Sequence, residues 1–233
     1  MRRVDYGDDD GDPLVFVLGW GNRPEHDGVQ WLLDRLTDAG YRVSAFEIPR
    51  TITDFESEYL APVRERVTAL DSPRFLSHST GGLIGRYLDG DAFETRTYLS
   101  PWWGFHDDLQ NPVVSLLMRV PLARAVLPAS AEKEELGELA SDDWVADSPD
   151  HAAPTFLREA KRAQAEIPPF DARDAVFYNP DDPIVSASAI EMQTPPENRR
   201  AFEGGHELFN SKSRDDHVDD VLAAVRGGAS ALE

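Results

Sequence analysis

Serine, aspartate and histidine, the residue types that together carry out acyl transfer, occur in this chain in that order, each directly after a short apolar run. Residues 75–82 read FLSHSTGG and place Ser79 between small residues, ahead of a helix-like segment. In such a setting a serine sits at the tip of a sharp strand-to-helix turn, often with unfavourable backbone angles. Ser77 and Gly81 are small enough to let strand and helix come close. An ordinary polar surface turn is the plain alternative for the same letters.

A serine hydroxyl is a weak nucleophile until a base takes its proton. That base in turn needs a carboxylate to hold its tautomer and stabilise the imidazolium. YNPDDPIV carries Asp181 and Asp182 after one apolar run, and FEGGHELF carries His206 after another. Asp107 and Asp108, further up the chain, are more remote candidates for the acid. The developing oxyanion needs donors. In VLGWGN, Gly19 and Gly21 allow a sharp turn, so the backbone amides of Trp20 and of Thr80 are the expected pair.

These residues must be held at the ends of strands. PLVFVLG is a continuous apolar run, as a strand buried on both faces should be. Val29, Leu32, Leu33 and Leu36 then recur at helical spacing, and Gly40 is placed to end that helix. YRVSAFEIP reads as a second strand. Thr53 and Glu56 have capping-box spacing before a helical stretch in which Pro62 forces a bend or restart. RFLSH, TRTYLSP, DAVFYNP and RRAFEGG read as the third to sixth strands, and Val218, Val221, Leu222 and Val225 as one face of a last helix. Such alternation predicts an α/β fold, a mostly parallel wound sheet of about six strands with helices on both faces. In sheets of this kind ligands sit beyond the carboxyl ends of the strands.

Residues 105–165 break the rhythm, apolar from Val113 to Leu127 and acidic from Glu132 to Asp150. A stretch this long without a strand reads as an inserted helical lid or cap. The core is then residues 13–104 and 166–228, and residues 1–12, rich in charge and glycine, read as a flexible acidic tail.

Taken together, VLGWGN, SHSTGG, NPDDPIV and EGGHE resemble the four functional stations of the α/β-hydrolase superfamily, over residues 13–226. The resemblance implies Ser79 as nucleophile, His206 as base and a lid after the fourth strand. It favours Asp182 over Asp181 as the acid, because the family pattern sets the aspartate directly before proline. It implies a serine hydrolase of the carboxylesterase or lipase kind, acting on a small-molecule acyl substrate without cofactor. Thioesterase, peptidase and carbon–carbon hydrolase share the same three residues, whereas the serine excludes the aspartate-nucleophile branches. A catalytically idle fold used for binding or scaffolding is the alternative from another class. Ser77 stands where the family has glycine, Leu18 where it has histidine, and the two antiparallel strands that open the family's sheet are not evident.

The other aromatic and titratable residues have plainer readings. Trp102, Trp103 and Phe105 in SPWWGFHDD fit either core packing or an apolar pocket wall. His78 reads as a packed neighbour of the nucleophile, and His26, His106, His151 and His217 as surface residues. No histidine pair has the spacing of a zinc site, so no metal is expected.

A net charge of −20 argues against nucleic acid or an anionic membrane as partner. The absence of cysteine removes disulfides and thiolate chemistry. The opening MRRVDYGDDDGD has no apolar core of a signal peptide, and PVVSLLMRVPLARAVLP is interrupted by arginine and proline. A cytoplasmic protein without a membrane span is the expectation. Only Lys133, Lys161 and Lys212 are lysines, and acid-rich, lysine-poor surfaces resemble those of proteins from salt-rich cytoplasm, where ions screen self-repulsion. The melting temperature is therefore expected to fall as salt is lowered from molar to millimolar. A melting curve that does not move with salt would remove the salt-adapted reading.

Overall fold

Alternation along single strands sets the architecture. The computed structural model describes residues 1–106, 117–118 and 120–232. Its strands are β1 (Arg2–Tyr6), β2 (Asp12–Val17), β3 (Tyr41–Glu47), β4 (Arg74–His78), β5 (Arg96–Leu99), β6 (Leu127–Pro128), β7 (His151–Ala152), β8 (Ala175–Tyr178) and β9 (Arg199–Ala201). Its helices are α1 (Asp27–Asp38), α2 (Ala61–Thr68), α3 (Thr80–Arg86), α4 (Lys133–Leu136), α5 (Asp142–Asp147), α6 (Pro154–Ala165), α7 (Ala187–Gln193) and α8 (Arg214–Gly227). Leu14 and Phe16 of β2 pack with Leu32 and Leu36 of α1 and Val221 and Val225 of α8. Val15 and Val17 turn the other way, towards Val63 of α2, Leu83 of α3 and Phe156 of α6. β2 thus feeds two cores, which is why its sequence is apolar without a break.

The main sheet has seven strands in the order β1-β3-β2-β4-β5-β8-β9. Every pairing is parallel except β1 with β3. The wound, mostly parallel sheet read from the sequence is therefore present, with one strand more than expected. Pro62 lies in the first turn of α2, directly after a π-helical turn at Glu56–Leu60, so the restart expected there occurs. The capping arrangement differs: it is Glu58, not Glu56, whose carboxylate accepts from the Thr53 and Asp54 amides, at 2.7 and 3.0 Å.

The reading of residues 1–12 as a flexible tail is corrected. Arg2–Tyr6 form β1, antiparallel to β3 from Arg2 opposite Glu47 to Tyr6 opposite Val43. Its side chains are mostly solvated, and its anchors are polar: Ser44 Oγ donates to Asp5 at 2.7 Å, and Arg2 pairs with Glu25 and Glu47. An edge strand held by backbone pairing and charge carries no apolar signature, and charged edges are how sheets avoid pairing with other chains. One leading antiparallel strand is thus present where none was evident.

Among the described residues after β5, β6 and β7 form a two-stranded antiparallel ribbon and α4, α5 and α6 follow the polypeptide back to the core. Short as they are, α4 and α5 are well capped. Glu132 and Glu135 close a capping box on α4, and Ser141 accepts from the Trp144 amide on α5. Among the described residues no helix is long and apolar enough to cross a membrane.

Candidate active site

At the end of β4 the chain turns into α3 through a single strained residue. Ser79 has φ 51° and ψ −117°, outside the regions an L-residue prefers. Its amide donates to Leu99 O at 3.0 Å, and its carbonyl accepts from Gly82 and Trp102 amides, so backbone bonds on both sides hold the turn. A Cβ at Gly81 would lie 2.2 Å from the Val17 carbonyl oxygen, which is why that position must be glycine. The elbow read from FLSHSTGG is therefore present. Thr80 opens α3, where an amide has no intrahelical acceptor.

The loops after β8 and β9 meet this turn. His206 Nδ1 and Asp182 Oδ2 are 2.8 Å apart, with both residues buried. The other Asp182 oxygen accepts from the Ile184 and Val185 amides at 2.8 and 3.0 Å, so the buried carboxylate is fully partnered. Asp181 is exposed, and the structure thereby separates two aspartates that sequence alone left open. Burial opposes a charged imidazole at His206, but the Asp182 carboxylate and then Glu207 favour it. The balance lifts its pKa above the ordinary value of 6.5.

Ser79, Thr80, Trp20 and His206 all line one cavity of about 380 Å³. Its walls are mostly apolar, with Trp102, Leu136, Trp144, Phe156, Ile184 and Val185 among them, and among the described residues neither lysine nor arginine lines it. The segment between β5 and β8 supplies one wall, through residues from Pro128 to Leu157. Trp20 stacks on Phe156 with ring centroids 5.2 Å apart and donates its indole N–H to Arg50 O at 2.8 Å, which fixes the loop between β2 and α1.

Of the three aromatics read as a pocket wall, Trp102 lines this cavity. Trp103 instead donates to Gly82 O at 3.1 Å and lies under the Arg86 guanidinium, and Phe105 packs edge-on against Trp102. The sequence places these rings side by side, but only one faces the site. Asp107 and Asp108 lie outside the described residues. His78 is buried as a packed neighbour, its ring 4.7 Å from that of His206, and burial followed by the charge of His206 pushes its pKa well down.

The expected surface histidines need correction. His26 is half-buried against Trp144 and Asp147, His106 lines the cavity, and His217 is half-buried beside Phe202. Only His151 is exposed. Sequence reasoning also missed Asn22, Trp144, Glu207 and Asn210, which form a buried polar cluster beside His206.

No protein-family model matches the sequence, and no curated protein matches it. Solved structures do. A monoacylglycerol lipase from Paleococcus ferrophilus is 19% identical, with 99% of this chain and 98% of that chain covered at a TM-score of 0.72. A soluble variant of the monoglyceride lipase of Saccharomyces cerevisiae, solved with a substrate analog, is 12% identical, with 96% and 90% covered at 0.73. The chain has the α/β-hydrolase fold. An α/β-hydrolase fold protein from Burkholderia ambifaria, 20% identical over 96% and 92% of the two chains at a TM-score of 0.60, shares it.

The strain at Ser79 has a thermodynamic consequence. Glycine tolerates this backbone conformation and alanine does not, so Ser79→Gly should be more stable than Ser79→Ala by about 1 kcal/mol in denaturant unfolding. That reverses the usual order of the two residues in a helix, and alanine proving the more stable variant would show that the turn is relaxed.

Proposed function

We propose that this α/β-hydrolase-fold chain is a serine hydrolase that cleaves a carboxylic ester through an acyl-enzyme on Ser79. The observation that carries the reading is a buried His206–Asp182 pair at 2.8 Å, lining the same apolar cavity as a serine held at a strained elbow. His206 takes the proton of the Ser79 hydroxyl as the oxygen attacks the acyl carbon. The Trp20 and Thr80 amides receive the oxyanion, and Asp182 holds the imidazole and stabilises its charge. His206 then gives the proton to the leaving alkoxide. In the second half, water attacks the acyl-enzyme with His206 again as base.

The apolar lining, with no cationic side chain among the described residues, favours an uncharged, small to medium acyl group over an anionic one. Residues 105–165 are read as the lid over this site. The two lipases among the structures of the same fold support ester hydrolysis.

A fluorophosphonate probe should label the wild-type chain and leave Ser79→Ala unlabelled, and Asp182→Asn should lower kcat on the order of 10⁴-fold on the best of a series of esters of graded chain length. Because His206 must be neutral to act as base and its pKa is raised, activity should fall away on the acid side of a limb lying above 6.5. Equal labelling of wild type and Ser79→Ala would overturn the assignment of the nucleophile.

A further inference from the structure

Glu207 adjoins His206, lines the cavity and is 1% exposed, yet the acyl-transfer reading gives it no part. Its Oε1 accepts from Asn22 Nδ2 at 2.7 Å, and its Oε2 from Trp144 Nε1 at 3.1 Å and from Asn210 Nδ2. All three partners present N–H donors, and an indole has no acceptor to offer. A protonated carboxyl would turn its O–H against a donor, so the surroundings are built for the carboxylate. Burial, the largest influence, outweighs the three donors and His206 and leaves the Glu207 pKa above its ordinary value of 4.5, so it is the donor geometry that argues for the carboxylate.

The donors come from separate elements. Asn22 follows Trp20 in the loop after β2, Trp144 sits on α5, and Asn210 closes the turn after His206. Because Asn22 points its NH₂ at the carboxylate, its Oδ1 is left to accept from His78 Nδ1, 3.0 Å away. Burial favours the neutral form of His78, and its ring lies tilted against that of His206. The strand-end loops meet the insertion through the backbone too. His206 and Glu207 amides donate to Glu135 O and Leu136 O, both at 2.8 Å, and Leu139 N donates to Asn210 O at 2.8 Å. A Cβ at Gly205 would lie 2.6 Å from the Leu136 carbonyl, which leaves no room for a side chain where the two segments cross.

We propose that Glu207 is a positioning residue for the chemistry of His206: its buried carboxylate ties the histidine loop, the Trp20 loop and α5 into one frame, and places a second negative charge beside the imidazole. The proposal rests on the acyl-transfer reading for its catalytic part. Among the described residues the charged or titratable groups facing His206 are Asp182, Glu207 and His78, with Glu135 of α4 and His106 in the same cavity lining.

The test compares wild type with Glu207→Gln, which keeps the shape and removes the charge. Two readouts are followed against pH: the rate of fluorophosphonate labelling of Ser79, and the NMR titration of His206, which needs no turnover. The variant should be labelled about 10²-fold more slowly at little cost in probe affinity. Its His206 should titrate at lower pH, carrying the acid limb of labelling down with it. A merely structural role would slow labelling without moving the titration. Asn22→Ala cuts the tie to the Trp20 loop but leaves the charge, so it should slow labelling with the His206 titration in place, and it stands as the second test should Glu207→Gln not fold. A folded Glu207→Gln labelled at the wild-type rate, with His206 titrating as in wild type, overturns this proposal alone. A wild-type chain that takes no label overturns the acyl-transfer reading and the catalytic part of this one with it.

Discussion

Placing a carboxylate and an imidazole side by side away from water is the constraint that the rest of the structure answers. Each charged form loses its hydration on burial, a cost recovered only if every lone pair and proton finds a partner. Asp182 meets that demand with two backbone amides and one imidazole N–H. His206, partnered by Asp182 through Nδ1, sits on the loop between β9 and α8. That loop is held from outside: by the insertion through backbone bonds at Glu135 and Leu136, by Asn179 donating to Gly204 O at 2.6 Å, and by Ser211 bonded to both Gly205 N and Glu207 O.

The parallel sheet makes such convergence cheap. β4 and β8 run the same way on either side of β5, with β9 beyond β8, so the segments leaving them emerge at one edge although Ser79 and His206 are far apart in the chain. The elbow at Ser79 then raises a side chain above that edge at the cost of a strained backbone. Hydrogen bonds from Gly82 and Trp102 amides to the Ser79 carbonyl, together with a glycine at 81 that admits the Val17 carbonyl, offset that strain.

What could be read from the sequence follows from how local each signal is. Ser79, Asp182 and His206 each carry their own signature, a short apolar run followed by small or turn-forming residues, so each could be placed at a strand end without knowing the others. Glu207 carries none. Its partners Asn22 and Trp144 are remote in the chain, and an acidic residue in an acid-rich sequence draws no notice until the fold brings three donors onto it. β1 was missed for the opposite reason: an edge strand whose anchors are Arg2, Asp5 and backbone pairing looks like solvated chain. Trp102 and Trp103 show the limit of residue type. The chain turns between them, with Trp103 N donating to Pro101 O at 2.9 Å, so one ring reaches the cavity and the other the core beneath Arg86.

The insertion cannot be treated as a cover hinged at its two ends. Residues 135–139 share backbone hydrogen bonds with the histidine loop, and Asp147 at the end of α5 is bonded by Arg50 at 3.0 Å and paired with Arg23 at 3.2 Å. Swinging this part away would either break those bonds or move the His206 loop with it. Among the described residues lining the cavity, Pro149, Ala152 and Leu157 are not stitched to residues 205–210 in this way. The same bonds that make α4 and α5 poor gates make them good supports, and a segment that began in the sequence as an interruption of the fold serves in the structure as part of its frame.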